Sequence, residues 1–390
     1  MLVGLLAVLL AASPVDAGQW GPIQAITTAT DANMWPGGIA TSGTSIYLAY
    51  RELTDAGRAI VFRSSPDDGV TWSEPTVLSR PDAVTSLTAT LAASGAAVHA
   101  SWVEYDPELK VQRLWYRRST DGGATWDEPV QVETESTHGI GLPQLLAAGD
   151  TVLLAFTDGT NGRIFVARSL DGGTTFATPF ALGTTTNTPW AGDSSFDGAI
   201  SMAAGTGVTY LVWASSTSEV VVRRSFDGGS HWTRAVVLEN TIGYAWPRVA
   251  AAGRSAIVET RHYDGKPMRA VIRLTTNRGS TWRPNATVSA GARPAWESWI
   301  EYAAGRWRLL YAQCIVTDCL QGAKGGWGLW YRESANGTAW TAPIRVTSPE
   351  RPIPDVGGMG STTTGATWIA WAGFAKRDAP DADIYLRSVR

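Results

Sequence analysis

One eight-residue signature, repeated along the chain, decides most of what this sequence can fold into. Ser65, Asp67, Gly69, Thr71 and Trp72 return as Ser119, Asp121, Gly123, Thr125 and Trp126, and again as Ser169, Asp171, Gly173, Thr175 and Phe176. Two further copies are Ser225, Asp227, Gly229, His231, Trp232 and Thr275, Asn277, Gly279, Thr281, Trp282, and a shortened sixth reads Ser334, Asn336, Gly337, Trp340. Consecutive copies lie roughly 50 to 60 residues apart. A chain of 390 residues would ordinarily suggest two or three domains, at about 150 residues each. The repeat overrides that expectation and predicts a single array over residues 18–390.

Each copy follows a β-rich run that ends near an arginine, as in Ile60 to Arg63 or Leu114 to Arg117, and precedes a second run such as Pro75 to Leu78. The signature therefore reads as a hairpin turn. Its glycine takes a positive φ that a Cβ would resist, its Asp or Asn accepts turn N–H groups, and its Trp anchors the outgoing strand. Asp67, Asp121, Asp171, Asp227, Asn277 and Asn336 are thus expected to be structural. The chain holds 41 Gly and 19 Trp, a composition that suits many short strands and tight turns. With 44% hydrophobic and only 17% charged residues, it has material for a core and does not read as disordered.

The two chain ends complete the count. Ile384 to Ser388 reproduce the strand that enters the turn, and the chain stops at Arg390. Trp20 to Ala25 reproduce a strand that leaves one, with nothing before them to pair with. Joining them predicts an all-β, seven-bladed β-propeller of four-stranded antiparallel blades, the last blade closed by the N-terminal strand.

The signature resembles the Asp box, the bacterial neuraminidase repeat (BNR) of sialidases and related β-propellers, over nearly the whole chain. That resemblance is specific for architecture and says little about chemistry, because the same box occurs in propellers that hydrolyse, bind or scaffold.

In up-and-down blades, the links between blades and the loops between second and third strands share one face, and the boxes lie on the other. A ligand is expected on the first face. Trp35, Trp190, Trp246 and Trp296 each stand just before an expected innermost strand, and their flat faces suit the C–H faces of sugar rings. The second-to-third loops are expected to carry Arg51, Glu52, Asp55, Glu104, Tyr105, Asp106, Asp158, Arg261, His262, Tyr263 and Asp264. His138, Asp193, Asp197, Glu297 and Asp355 lie in or beside the links between blades. Arg51 and Arg261 end second strands, where a guanidinium fork can pair with a carboxylate. Arg51, Glu104, Asp106, Arg261 and Asp264 are the candidate catalytic groups; Trp35, Trp190, Trp246, Trp296, Tyr105, His262 and Tyr263 are the candidate binding groups.

Sialidase-family enzymes, which the boxes bring to mind, hold the sugar carboxylate with three Arg and use a Glu-activated Tyr nucleophile with an Asp acid/base. Glu259, Thr260, Arg261 and the stretch Arg269 to Trp282 look like the segment bearing the second Arg. Trp35, Pro36, Gly37 stand where the family has its Arg-Ile-Pro, so the first Arg is missing. Trp246 and Pro247 stand where a partner Glu is expected. No Tyr on a following innermost strand stands out, although Tyr302 is near one. Seven blades also depart from the sialidases' six. A clamp lacking its first Arg loses a charge-assisted bidentate contact, which argues against ordinary sialidase activity.

Residues 1–17 read as a signal peptide, with an apolar run from Leu2 to Ala12 too short to span a bilayer. Cys314 and Cys319 can close a small disulfide loop in an oxidising compartment. The near balance of 32 Lys+Arg and 35 Asp+Glu gives nucleic-acid binding no support. No cofactor or metal motif occurs, and HExxH, GxSxG and Walker patterns are missing. The chain is expected to be a secreted monomer without a membrane span. Three functions follow in order: a sialidase-like propeller that recognises glycan without standard sialidase chemistry; a glycoside hydrolase, either a divergent exo-α-sialidase or a polysaccharide-cleaving propeller; and a protein-binding scaffold.

Overall fold

The computed structural model describes residues 20–27, 35–54, 57–81, 84–85, 89–106, 108–136, 140–141, 143–158, 162–185, 200–215, 219–240, 246–264, 267–289, 291, 293–315, 327–347, 355–374 and 382–390. They form seven antiparallel sheets arranged as the blades of a propeller. In chain order the innermost strands are Trp35–Ser42, Thr90–Ser94, Gln144–Ala148, Ile200–Gly205, Arg248–Ala252, Ala295–Ala303 and Asp355–Ser361. Each packs beside the next, and the seventh returns to the first. In blade 2 the inner edge comes in two pieces, with Val84–Thr85 pairing Tyr105 and Glu104 ahead of Thr90–Ser94.

Ring closure follows the expectation. The last blade contains Asp355–Ser361, Thr367–Phe374 and Ala382–Val389, and its outer strand is Gln24–Ala25 from the other end of the chain. Gln24 pairs with Leu386 and Ala25 with Tyr385. Asp68 reinforces the join from the box of blade 1. Its carboxylate accepts hydrogen bonds from Thr362 (2.9 Å), Thr364 (2.8 Å) and Trp368 Nε1 (3.1 Å), all in blade 7, and from Arg390 (3.2 Å).

Alternating apolar residues on each strand face the two neighbouring blades, so the core is a set of seams between blades. At the seam of blades 1 and 2, for example, Tyr47, Ala49, Ile60 and Phe62 pack against Leu91, Val98, Ala100 and Trp102. Fully burying one large side chain of this kind contributes about 1.5–3 kcal/mol.

The arginine that ends each β-rich run has its own task. Arg63 Nη1 donates to Ile26 O of blade 7 (2.6 Å), and Arg117 Nη1 to Leu78 O of blade 1 (3.1 Å). Arg332 and Arg387 repeat the bond to Val288 O and Val346 O. These four tie their third strands to the outer edge of the preceding blade, whereas Arg168 of blade 3 donates to Gly228 O in the box of blade 4.

Candidate functional site

The boxes lie at the end of each blade remote from the loops expected to hold a ligand, and their carboxylates are fully used. In the second, Asp121 Oδ1 accepts from Ser119 Oγ (2.7 Å) and Thr125 N (2.8 Å), and Oδ2 accepts from Thr125 Oγ1 (2.5 Å). Asp67 and Asp171 repeat the pattern; in the fourth box His231 replaces the Thr and its Nδ1 lies 2.6 Å from Asp227. Asn277 and Asn336 take the same turn. These hydrogen bonds, that from Thr125 first, lower the Asp121 pKa to about 2. The box glycine fits against the preceding blade: Gly173 has φ 86°, and a Cβ there would collide with the Tyr116 hydroxyl.

The innermost strands enclose a central channel of about 290 Å³. Gly37, Thr90, Gln144, Ser201, Arg248 and Trp299 are among its lining residues, and Arg248 is the one charged side chain among those described. Arg248 sits directly across the sheet from Glu259 on the second strand, Ser255–His262, of blade 5. Glu259 and Arg261 are two residues apart, so they point to the same side of that strand. Both are buried, Glu259 completely and Arg261 to 1% exposure. The Arg261 guanidinium carbon lies 3.3 Å from the centre of the Trp246 ring, and that of Arg248 lies 5.5 Å from Trp299 of blade 6.

Glu259 is the outlier of this group. Neither of its oxygens has a donor in hydrogen-bonding geometry among the described residues. Burial pushes its pKa up to about 7, against the opposing pull of the Ser298 hydroxyl and of the Arg261 and Arg248 charges. The lack of a well-aligned donor fits the raised pKa.

The other carboxylates read as candidates are engaged. Glu104, 2% exposed, receives Arg80 Nε and Nη2, both at 2.7 Å, and Trp102 Nε1 at 2.9 Å. Arg80 also stacks on Trp115, at 4.4 Å. Asp106 caps its own loop, accepting from the N–H groups of Glu108 and Leu109 and from Arg113. The Leu109 bond leads the effects that hold its carboxyl below the usual range. Asp264 pairs with Arg269 at 2.8 Å. His262 Nδ1 lies 3.1 Å from Glu239 Oε1, and Glu239 also accepts from Arg273 and Asn285. Tyr263 is exposed and Tyr105 partly buried, while Arg51 is buried on the strand of blade 1 that corresponds to the Arg261 strand. Burial raises the Glu52 carboxyl.

These geometries coincide with a sequence-level match over residues 16–259 to the BNR repeat-like domain family. The chain belongs to that family. No curated protein matches the sequence. Among solved structures, this BNR repeat-like protein is similar to a polysaccharide lyase, an ulvan lyase, at 10% identity and TM-score 0.57, covering 93% of this chain and 95% of the other. It is also similar to the β-propeller domain of the Trilobed protease from Pyrococcus furiosus, at 8% identity and TM-score 0.53, over 93% and 94% of the two chains. A Hadza microbial sialidase, Hz136, matches at 16% identity and TM-score 0.45 over 72% of this chain; the BNR protein spans 63% of that sialidase's length. At these identities the likenesses concern the fold.

Several positions differ from the sequence reading. Arg51, Glu52, Glu104, Tyr105, Asp106, Asp158, Arg261 and His262 belong to the second strands themselves, because pairing with the third strand continues through these charged residues to the rim. Trp35, Trp296, Glu297 and Asp355 fall within innermost strands, which begin earlier than expected. Tyr302 lies in an innermost strand too, paired with Trp307 at the box end and so away from the mouth. Asp55, His138, Trp190, Asp193, Asp197 and Cys319 lie outside the described residues, as do residues 1–17, whereas Cys314 is disulfide-bonded. Among described residues no helix is long and apolar enough to cross a membrane, and no metal-ligating cluster occurs.

Sequence reasoning missed Arg80, Glu239, Arg248 and Trp299. Arg248 had a faint signal, since it follows Trp246 by two residues at the start of an innermost strand. The register that sets it against Glu259 has no local signature.

Proposed function

We propose that this BNR repeat-like propeller is an extracytoplasmic glycan-recognition protein that takes its ligand at the loop-face mouth of the channel without the standard sialidase reaction. The observation that carries this reading is the wall built by blades 5 and 6, where Trp246 covers Arg261 and Trp299 flanks Arg248. The Trp246 and Trp299 rings with the channel-lining Arg248 suit a saccharide with both C–H faces and polar substituents, and the buried Arg261 supports Trp246 from behind. The three carboxylates with the right chemistry for acid/base work, Glu104, Asp106 and Asp264, are each paired with an arginine. A pair locked in this way is poorly placed for the proton transfers of glycoside hydrolysis.

A glycoside hydrolase is the second reading, and Glu259 favours it, because a carboxyl at about 7 is in range for a general acid. Its complete burial weighs against direct contact with a sugar oxygen. The test is a glycan array probed with protein lacking residues 1–17, run beside fluorogenic sialosides and a polysaccharide panel. Binding without turnover is expected. Absence of binding to every glycan rejects the proposal, and turnover that Glu259→Gln abolishes replaces it with the hydrolase.

A further inference from the structure

We infer that the box face of the propeller is a self-association surface, on which a second copy of this chain docks face to face about a two-fold axis that sets acidic blade 2 of each copy against basic blade 5 of the other. It concerns the end of the ring remote from the loop-face mouth, so it is independent of the glycan-recognition reading. It replaces the monomer expected from the sequence.

The six boxes, and the hairpin tips between innermost and second strands, all lie within the described residues. Their charges are divided around the ring. Blade 1 carries Asp67 and Glu74, blade 2 Asp121 and Glu128, and blade 3 Asp150 and Asp171; blade 4 carries Arg234, and blade 5 Arg254, Arg278 and Arg283. Asp67 and Arg278 are half-buried and the others exposed. Asp150 and Arg254 stand at hairpin tips, and each tip is bonded to its own box, Gly172 N to Asp150 O (2.9 Å) and Arg278 N to Arg254 O (2.8 Å). Opposing charges on either side are partnered: Arg118 with Asp127 at 2.7 Å, Arg390 with Asp68 at 3.2 Å, and Asp227 with His231 at 2.6 Å. Arg168 is a further cation on the acidic side, bonded to Gly228 O. The strand-end arginines, such as Arg63, Arg117, Arg273 and Arg387, recur around the ring and so do not polarise it.

The box hydrogen bonds leave this division intact. Asp121 accepts from Ser119 and Thr125, which are neutral donors, and Asp67 and Asp171 do the same. Each carboxylate therefore keeps its charge on the face. Asn277 and Asn336 close the same turn without a charge, so the turn itself does not require one.

In a closed ring of seven, an in-plane two-fold axis through blade 7 lays blade 2 over blade 5 of the other copy, and blade 3 over blade 4. The first pairing brings Asp121 and Glu128 opposite Arg278 and Arg283. The second brings Leu170, 59% exposed, opposite Phe226, 53% exposed; both hold the second position of their boxes, hence the same radius on the face. One axis thus satisfies the charges and covers two apolar side chains, as an isologous interface must. Exposed ion pairs are individually weak, so the apolar pair is needed as well. A stable interface buries about 800 Å² per partner, about a twentieth of the 17369 Å² of surface, which one face of the ring can supply.

The test is sedimentation equilibrium of the full chain over a concentration series in about 50 mM and about 500 mM salt, between which the Debye length falls from above about 10 Å to well below it. It is repeated with residues 1–17 removed. The expected result is a monomer–dimer equilibrium in both forms of the chain, with a dissociation constant about tenfold higher at the higher salt. Arg283→Glu and Glu128→Arg are each expected to raise it about tenfold or more, because the symmetry counts every change twice. The double variant is expected to return to within about threefold of the native value. Phe226→Ser is expected to weaken the dimer at an unchanged melting temperature. A monomer throughout, a dimer indifferent to salt and to both reversals, a double variant that stays dissociated, or a dimer that requires residues 1–17 overturns the inference. None of these outcomes bears on glycan binding at the opposite face, so the two readings fail separately.

Discussion

Asp121 and Glu259 show how differently one protein treats a carboxylate at its two ends. At the box face Asp121 sits in open solvent and accepts bonds from Ser119 and Thr125, which hold its pKa near 2. At the mouth Glu259 is sealed from water without a well-aligned donor, and its pKa climbs to about 7. The first arrangement recurs from blade to blade and depends on residues adjacent in sequence. The second occurs in blade 5 and depends on strands brought together by the fold. The comparison teaches that the repeated groups fix the scaffold, while the carboxylate with the raised pKa stands where the repeat is broken.

The sharpest way to break the box side is at its glycine. Gly173→Ala forces a Cβ onto the Tyr116 hydroxyl at φ 86°, and we expect a loss of about 3 kcal/mol or more in denaturant unfolding. The same substitution at Gly149, which has φ 57° and open space around it, should cost about 1 kcal/mol. Equal losses at the two sites would remove the proposed docking of the box onto the preceding blade.

A smaller effect is expected from Glu104→Gln, which leaves Arg80 against a neutral amide. We expect about 1–2 kcal/mol of destabilisation, since the buried carboxylate loses its charge-assisted bonds to an arginine that is itself partly exposed. Glycan binding by the folded variant should be unchanged. Loss of binding at unchanged stability would move Glu104 from the scaffold to the site.

The two carboxylates also predict opposite pH responses. Asp121 has a lowered folded pKa, so the stability it contributes is present above its unfolded value of 3.8 and is lost as the pH falls through about 2. Glu259 has a raised folded pKa, so its contribution is present below its unfolded value of 4.5 and is lost as the pH rises through about 7. Glu259→Gln should therefore match the native protein near pH 4 and exceed it by about 1–3 kcal/mol at pH 8 in urea titrations. A constant difference across that range would contradict the assigned protonation.

What was legible in the sequence follows the same division. The box is written in consecutive residues, so Ser119, Asp121, Gly123 and Thr125 announce a turn, and the half-repeats at Trp20 and Ile384 announce closure. The mouth is written in register. That Arg248 faces Glu259, or that Arg80 crosses to Glu104, depends on pairings and seams with no fixed spacing. Charged residues near strand ends were assigned to loops for the same reason: polar side chains at a solvated rim break the apolar alternation before the backbone pairing ends.

The most direct test of the division between scaffold and site is to measure affinity for the best ligand of the glycan array and melting temperature together for the native protein, Arg248→Gln and Asp121→Ala. We predict that Arg248→Gln weakens binding several-fold while its melting temperature stays near the native value. Asp121→Ala should melt earlier yet bind with native affinity at 25 °C. A folded Asp121→Ala that no longer binds, or an Arg248→Gln that binds as well as the native protein, would contradict the account.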